Sequence, residues 1–121
     1  MRKFLLKFLL TLSVFISLSN YSNSQIVISQ VYGGGGNSGA TYTHDFIELF
    51  NRGTSAVSIA GWSIQYTSSA GTTWQKTDLS GTLLPGQYYL IQQAQGAGGT
   101  TALPTPDVTG TIAMSGTNGK V

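Results

Sequence analysis

Residues 45–68 read DFIELFNRGTSAVSIAGWSIQYTS and consist of short apolar runs separated by turn-forming residues. In the first run, alternate side chains would lie on opposite faces of an extended chain. One set is Phe46, Glu48 and Phe50, and the other is Ile47 and Leu49. Apolar residues in both sets are typical of a strand covered on both sides rather than of a helix turn.

The second half of this stretch continues with shorter strands. Residues 51–54 (NRGT) interrupt the first run, and Gly61 marks a turn or bulge. Trp62, Ile64 and Tyr66 then recur with period two, so their side chains should share one face. We therefore predict a meander of short strands in which Trp62 points into the core.

The N-terminal residues differ in character from the rest of the chain. Three basic residues come first, residues 8–18 are a mainly apolar run of 11, and small serines precede position 25. This order is that of a secretory signal peptide, and the run is shorter than a bilayer-spanning helix needs. We predict a signal peptide over residues 1–24 and a secreted, periplasmic or cell-surface location; a retained membrane anchor is the alternative.

Residues 25–121 carry few charges and no cysteine. Three basic and four acidic residues give this part a formal charge of −1, although the whole chain carries +2. Three scattered cations cannot neutralise a row of phosphates, so the composition gives no support to nucleic-acid binding. All 16 glycines lie here and helix-forming residues are scarce, which predicts one small all-β domain, a β-sandwich. The lack of cysteine fits an exported bacterial protein without disulfides.

Several further segments are predicted to complete this domain. In the first strand, residues 26, 28 and 30 should share a face, and in the last, Ile112 and Met114 should point inward. Residues 93–107 have no periodicity and indicate a long connection. The predicted strands are residues 25–32, 73–79, 87–92 after a turn at Pro85-Gly86, and 109–115.

A glycine-rich segment, GGGGNSGATYTH at 33–44, follows the first strand. It contains a formal G-x-G-x-x-G, which would be a dinucleotide-binding signal if a helix came next. The strand at 45–50 comes next instead, so no helix N-terminus is available to hold a pyrophosphate. We interpret the segment as a flexible surface loop.

The last residues contain a hairpin signal. Asn118-Gly119 is a favoured pair for a type I′ turn, which requires a returning strand. Lys120 and Val121 would begin that strand. We therefore expect the sequence to be the N-terminal part of a longer protein, with a sheet edge left open to strand addition.

Several of these segments, taken in order, resemble the lamin tail domain in the version found on exported bacterial proteins. The resemblance rests on DFIELFN, VSI, GWSI and LPGQYYLI, and it covers residues 26–121. It implies an immunoglobulin-like β-sandwich in which a further hydrophobic strand follows the final Gly-Lys-Val. The motif residues are Asp45, Phe46, Glu48, Asn51, Gly61, Trp62 and Gly86.

The sequence offers few groups for catalysis. It has one histidine, His44, no cysteine and no G-x-S-x-G motif, so a serine or thiol triad has no visible parts. His44 and Asp45 would point to opposite faces of a strand, which argues against a catalytic pair. We predict no catalytic residue and no cofactor in this segment, with His44 an ordinary residue at a loop edge.

Metal binding has little support from the carboxylates, which are Asp45, Glu48, Asp78 and Asp107. They do not form the acidic loop that a calcium site requires. Glu48 lies between two aromatic residues on a face predicted to be buried, where an unpaired carboxylate is costly. We expect a structural ion pair or hydrogen-bond network there, with Arg52 or Lys76 as the candidate partners, rather than a metal site.

Aromatic side chains offer a third possibility, because exposed tyrosine and tryptophan rings can stack on sugars. Trp62 is assigned to the core with Ile64 and Tyr66. Tyr42 and Trp74 have polar neighbours, so they are the candidates for ligand contact.

These observations predict a non-catalytic binding module. The resemblance implies an accessory domain that tethers or targets a larger exported protein, such as a hydrolase or nuclease, by binding a protein or cell-surface component. One alternative is a carbohydrate- or cell-surface-binding sandwich, whose partner would be a polysaccharide. Another is the N-terminal part of a secreted nuclease, with any catalytic domain beyond residue 121.

Overall fold

The computed structural model describes residues 24–121, so the predicted signal peptide lies outside the described residues except for Ser24. All regular elements in this part are strands, and it contains no helix. The all-β prediction is therefore confirmed for the described residues. The strands are β1 (Ile26–Tyr32), β2 (His44–Asn51), β3 (Val57–Ser58), β4 (Ser63–Tyr66), β5 (Gln75–Asp78), β6 (Thr82–Leu83), β7 (Tyr88–Gln95) and β8 (Val108–Thr109).

Four strands form the larger sheet, in the order β1-β2-β7-β8. β2 pairs antiparallel with β1 on one side and with β7 on the other, and β8 lies parallel to β7. Ile47 of β2 lies opposite Val31 of β1 and Ile91 of β7, which places these three side chains on one face. The central position of β2 explains why its residues are apolar on both faces.

The second layer consists of two short antiparallel pairs, β4 with β5 and β3 with β6. Its apolar side chains pack against one face of β2 and β7, so a single core lies between two layers. Two layers packed around one core confirm the predicted β-sandwich. Fully burying an aliphatic side chain of this kind contributes about 1.5–3 kcal/mol. The members of the core are Ile47, Leu49, Ile59, Ile64, Tyr66, Leu79, Leu83, Tyr89, Ile91, Ile112 and Met114.

A β-bulge at Ser29 changes which side chains of β1 face the core. Ile28 lies opposite Leu49, whereas Val31, three residues later, lies opposite Ile47. The alternation predicted for this strand is therefore wrong beyond the bulge. One extra residue in a strand exchanges its two faces, and apolar periodicity alone does not show where such an insertion lies.

Two turns place glycine where the chain needs a positive φ. Gly61 has a φ of 81° and lies in a turn closed by a 3.0 Å hydrogen bond from Trp62 N to Ile59 O. Gly86 has a φ of 74° in a turn of the same type, in which the following amide donates to Leu84 O at 3.1 Å. Both motif glycines therefore act through a backbone conformation that other residues rarely adopt.

The prediction that Trp62 points into the core is wrong. Its side chain is 47% exposed, whereas Ile64 and Tyr66, the next residues of the same period, are buried. Trp62 closes the turn at Gly61 and precedes β4, and the fully buried Ile59 already occupies the core beside this turn. The period-two pattern therefore includes Trp62, although β4 begins only at Ser63.

The glycine-rich segment 33–44 packs into one end of the sandwich, contrary to its interpretation as a flexible surface loop. Its consecutive glycines at 34–36 are buried. The first of them donates its N–H to Met114 O at 3.0 Å, and the third donates to Tyr42 O at 2.8 Å. The first bond anchors the segment to the chain after β8, and the second closes the segment on itself just before β2.

The segment after β8 is less regular than the strand predicted for residues 109–115. β8 ends at Thr109, but Ile112 and Met114 are buried, as their inward orientation predicted. Met114 accepts its backbone hydrogen bond from the glycine-rich segment rather than from a neighbouring strand. The alternation of apolar residues therefore predicted the burial correctly, whereas the predicted strand does not continue beyond Thr109.

The predicted type I′ turn at the C-terminal end is also wrong. Neither Asn118 nor Gly119 has a positive φ, which such a turn requires at both positions. Lys120 pairs instead with Thr67 at the end of β4, through backbone hydrogen bonds of 3.1 and 2.9 Å in the two directions. The end of the chain therefore extends the second layer.

Candidate functional site

Asp45 is a buried carboxylate that connects three parts of the chain. Its Oδ1 accepts a hydrogen bond from Gly35 N and its Oδ2 accepts one from Met114 N, both at 2.6 Å. A side chain on Gly35 would overlap the carbonyl of His44, so only glycine allows the backbone to approach this closely. The carboxylate therefore holds the glycine-rich segment and the chain after β8 against β2.

Asn51 has the same kind of structural role at the other end of β2, where it is fully buried. Its amide nitrogen donates to Ser55 O and Leu83 O, each at 2.9 Å. Its oxygen accepts from Gly53 N at 2.9 Å. The bond to Leu83 O joins β2 to β6 in the second layer, and the other two bonds fix the loop that follows β2.

Gln93 forms a third buried polar contact, which the sequence did not single out. Its Nε2 donates to Thr77 Oγ1 at 2.9 Å, and its Oε1 accepts from Ile112 N at 3.0 Å. Both side chains of the Gln93–Thr77 pair are buried, one in β7 and one in β5. The pair therefore connects the larger sheet to the second layer through the core.

The opposite face of the larger sheet points away from the core and is called the outer face below. The register aligns its side chains in three cross-strand rows, one residue each from β1, β2 and β7. The first and third rows are rich in rings, and the middle row is largely polar. The rows are Val27–Phe50–Tyr88, Gln30–Glu48–Leu90 and Tyr32–Phe46–Gln92.

Two aromatic groups lie on the outer face, one at each end of β2. Tyr32 stacks on Phe46 with ring centres 5.3 Å apart, and Tyr42 packs edge-on against both rings. At the other end, Phe50 and Tyr88 have ring centres 4.6 Å apart, and the Tyr88 side chain is 56% exposed. Phe46 itself is buried and the rings of Tyr32, Tyr42 and Phe50 are half-buried, so Tyr88 presents most of the exposed ring surface.

Glu48 lies between these aromatic groups and is half-buried. Its Oε1 accepts a 2.7 Å hydrogen bond from Ser29 Oγ, the residue at the bulge. The expectation of an ion pair with Arg52 or Lys76 is wrong, because Ser29 supplies the hydrogen bond and Lys76 pairs with Asp78 at 2.9 Å. The expected hydrogen-bond network at Glu48 is present, although its partner is a neutral hydroxyl.

One side of the sandwich, between β1 and β4, is open. Ile28 and Val31 lie on the core-facing side of β1, yet their side chains are 45% and 50% exposed. A cavity of about 210 Å³ lies beside Val31, with Tyr66 and Val121 also among its lining residues. An exposed apolar edge of this kind favours association with other chains.

The model of one family, described as Lamin Tail Domain, matches residues 19–120. The chain belongs to the lamin tail domain family. Lamin tail domains are immunoglobulin-like and are, as a family, non-catalytic. A comparison with curated proteins found no match. The family therefore accounts for the fold and the general class of module.

The two residues predicted to contact a ligand lie in different layers of this lamin tail domain. Tyr42 is half-buried and belongs to the first aromatic group of the outer face. Trp74 precedes β5 in the second layer, where it is 48% exposed and has Lys120 Nζ 5.8 Å from its ring centre. The structure therefore does not bring Tyr42 and Trp74 together, and it associates Tyr42 with rings of the larger sheet.

His44 and the acidic side chains are the candidate metal ligands within the described part of the lamin tail domain. His44 is half-buried at the start of β2, with its Nδ1 2.9 Å from Thr43 Oγ1. Within residues 24–121, no three side chains of His, Cys, Asp or Glu lie close enough together to hold a metal ion. No helix in this range is long and apolar enough to cross a membrane.

The half-buried Phe50 and the exposed Tyr88 form an aromatic pair that the sequence did not identify as a candidate site. The period-two pattern placed Phe50 with Phe46 and Glu48 on one face of β2, and that assignment is correct. The pattern did not show that this face is the outer one, or that β7 pairs with β2. Without the register, nothing in the sequence places Tyr88 beside Phe50.

Proposed function

We propose that this lamin tail domain is a non-catalytic binding module of an exported protein, and that it tethers a larger extracellular protein to a protein or cell-surface component. The outer face carries this proposal. Apolar rings that remain outside the core, next to convergent polar groups, are typical of a binding surface rather than of a solvated sheet.

Two features of the chain support the export and tethering parts of the proposal. The first 24 residues have the order of a secretory signal, and the domain lacks cysteine, so it folds without disulfides. The buried polar contacts of Asp45, Asn51 and Gln93 all serve the fold, which leaves the exposed faces as the part that binds. The tethered protein would be a hydrolase, such as a nuclease.

A retention assay tests this function. The purified protein is labelled with a fluorophore and mixed with intact cells and envelope fractions of the organism that produces it, and the bound fraction is measured after sedimentation. We expect saturable retention of the wild-type protein. Tyr88→Ala should lower retention, whereas Leu84→Ala, which truncates an equally exposed side chain at 57%, should not. Absence of saturable retention would remove the support for a tethering module.

A further inference from the structure

The outer face combines apolar and polar groups at a spacing suited to an extended ligand. Phe46 of the first aromatic group and Phe50 of the second are four residues apart in β2, which is about 13 Å at about 3.3 Å per residue. The polar side chains between them are Gln30 and Glu48, and Gln92 lies beside Phe46 in the third row. A ligand that contacts both groups must therefore be long, and it must accept polar contacts along its middle.

A sugar chain has this distribution of groups. One face of a pyranose ring presents C–H groups that pack on an aromatic ring, and its edge presents hydroxyls that donate and accept hydrogen bonds. Tyr88, the more exposed ring, offers the apolar contact. Glutamine side chains both donate and accept, and an ionised carboxylate accepts only, so the middle row can pair with hydroxyls in either role.

The charge of the outer face indicates whether a neutral or a charged sugar polymer fits it better. Glu48 is the only charged side chain in the three rows, and within residues 24–121 it forms no ion pair. A carboxylate without a cation attracts hydroxyl donors and repels carboxylated, sulfated or phosphorylated polymers. The complementary ligand is therefore neutral, which also distinguishes it from a nucleic acid.

We propose that the outer face binds a neutral extended polysaccharide. Phe50 and Tyr88 would contact sugar rings at one end, Tyr42 and Tyr32 would contact them at the other, and Glu48 would accept hydroxyl hydrogen bonds between them. This inference rests on the proposed tethering function and identifies the class of its surface ligand. It transfers the predicted sugar contact from Trp74 to the Phe50–Tyr88 pair of the larger sheet.

Affinity electrophoresis in gels that contain a soluble β-glucan, a xylan or a galactomannan tests the proposal, with polygalacturonate as the anionic comparison. We expect at least one neutral polymer to retard the protein and polygalacturonate not to. Tyr88→Ala should weaken binding by about tenfold, because it removes an exposed aromatic anchor. Tyr88→Phe should retain binding, because the ring remains.

Trp74→Ala is the matched control, since Trp74 has a similar exposure but lies in the second layer. Its retardation should equal that of the wild type. Circular dichroism establishes that each variant is folded. Failure of all three neutral polymers to retard the protein would overturn the proposal, and so would equal binding by the Tyr88→Ala variant.

The retention assay with cell envelopes distinguishes a failure of the polysaccharide proposal from a failure of the proposed tethering function. Periodate cleaves the vicinal diols of 1,4-linked sugars, so periodate-treated envelopes should lose the protein if the ligand is a polysaccharide with such linkages. Retention that survives periodate treatment and the Tyr88→Ala substitution would overturn the polysaccharide site while leaving the tethering function in place. Absence of retention on untreated envelopes would contradict the tethering function itself.

Discussion

Replacement of Asp45 by alanine should destabilise the domain more than any surface substitution. The carboxylate is buried and accepts two backbone hydrogen bonds of 2.6 Å, from Gly35 N and Met114 N. Alanine leaves both N–H groups buried without a partner, and each such group costs about 1–3 kcal/mol. The expected loss is therefore about 2–6 kcal/mol, out of a total domain stability of about 5–15 kcal/mol.

Urea unfolding followed by tryptophan fluorescence measures this loss, and thermal unfolding should show Tm lowered by about 8 °C or more. Asp45→Asn is the near-isosteric comparison. It keeps the shape of the side chain but replaces one acceptor with a donor, so it should also destabilise the domain.

Asp78→Ala is the control for the loss of a carboxylate. It removes an ion pair with Lys76 whose side chains are 64% and 70% exposed, and such surface pairs contribute about 1 kcal/mol or less. If Asp45→Ala changed the free energy of unfolding no more than Asp78→Ala does, Asp45 would not hold the glycine-rich segment as described.

Three further substitutions and one processing experiment test other parts of the account. Gly35→Ala should disturb native packing, because the added carbon overlaps the His44 carbonyl. We expect a loss of thermal stability similar to that of Asp45→Ala, and an unchanged Tm would contradict this expectation. Gln93→Leu should lower the free energy of unfolding in urea by about 1–3 kcal/mol, because Ile112 N loses its acceptor. A stability equal to that of the wild type would show that the buried contacts of Gln93 with Ile112 and Thr77 are dispensable. Val31→Lys should leave Tm nearly unchanged, since the side chain is 50% exposed. It should reduce concentration-dependent association in sedimentation velocity, because a charge on an edge strand opposes pairing between chains. Equal association by the variant and the wild type would argue against the open side of the sandwich as the contact surface. Mass spectrometry of the exported protein should give an N-terminus at Gln25, and a chain that retains its first residues would favour the membrane-anchor alternative.

The parts of the fold that depend on local chemistry could be predicted from the sequence. β2 was identified because its residues are apolar on both faces, which only a covered central strand allows. Gly61 and Gly86 were identified as turn residues because the neighbouring apolar patterns break there. Ile112 and Met114 were correctly assigned to the core by their spacing.

The remaining features depend on contacts between segments distant in the sequence. The bulge at Ser29 inverts the faces of β1, and an inserted residue leaves no mark in the hydrophobic pattern. Trp62 continues a period-two pattern but lies in a turn, so its exposure follows from where β4 begins. Tyr88 gains its place on the outer face only through the register between β2 and β7.

An NMR titration of the isotopically labelled protein with the soluble envelope fraction that retains it tests the central claim most directly. The account predicts chemical-shift changes concentrated on the outer face, at Gln30, Glu48 and Tyr88, with Trp74 and Lys120 unaffected. Changes concentrated around Trp74 and Lys120 in the second layer, with none on the outer face, would contradict it.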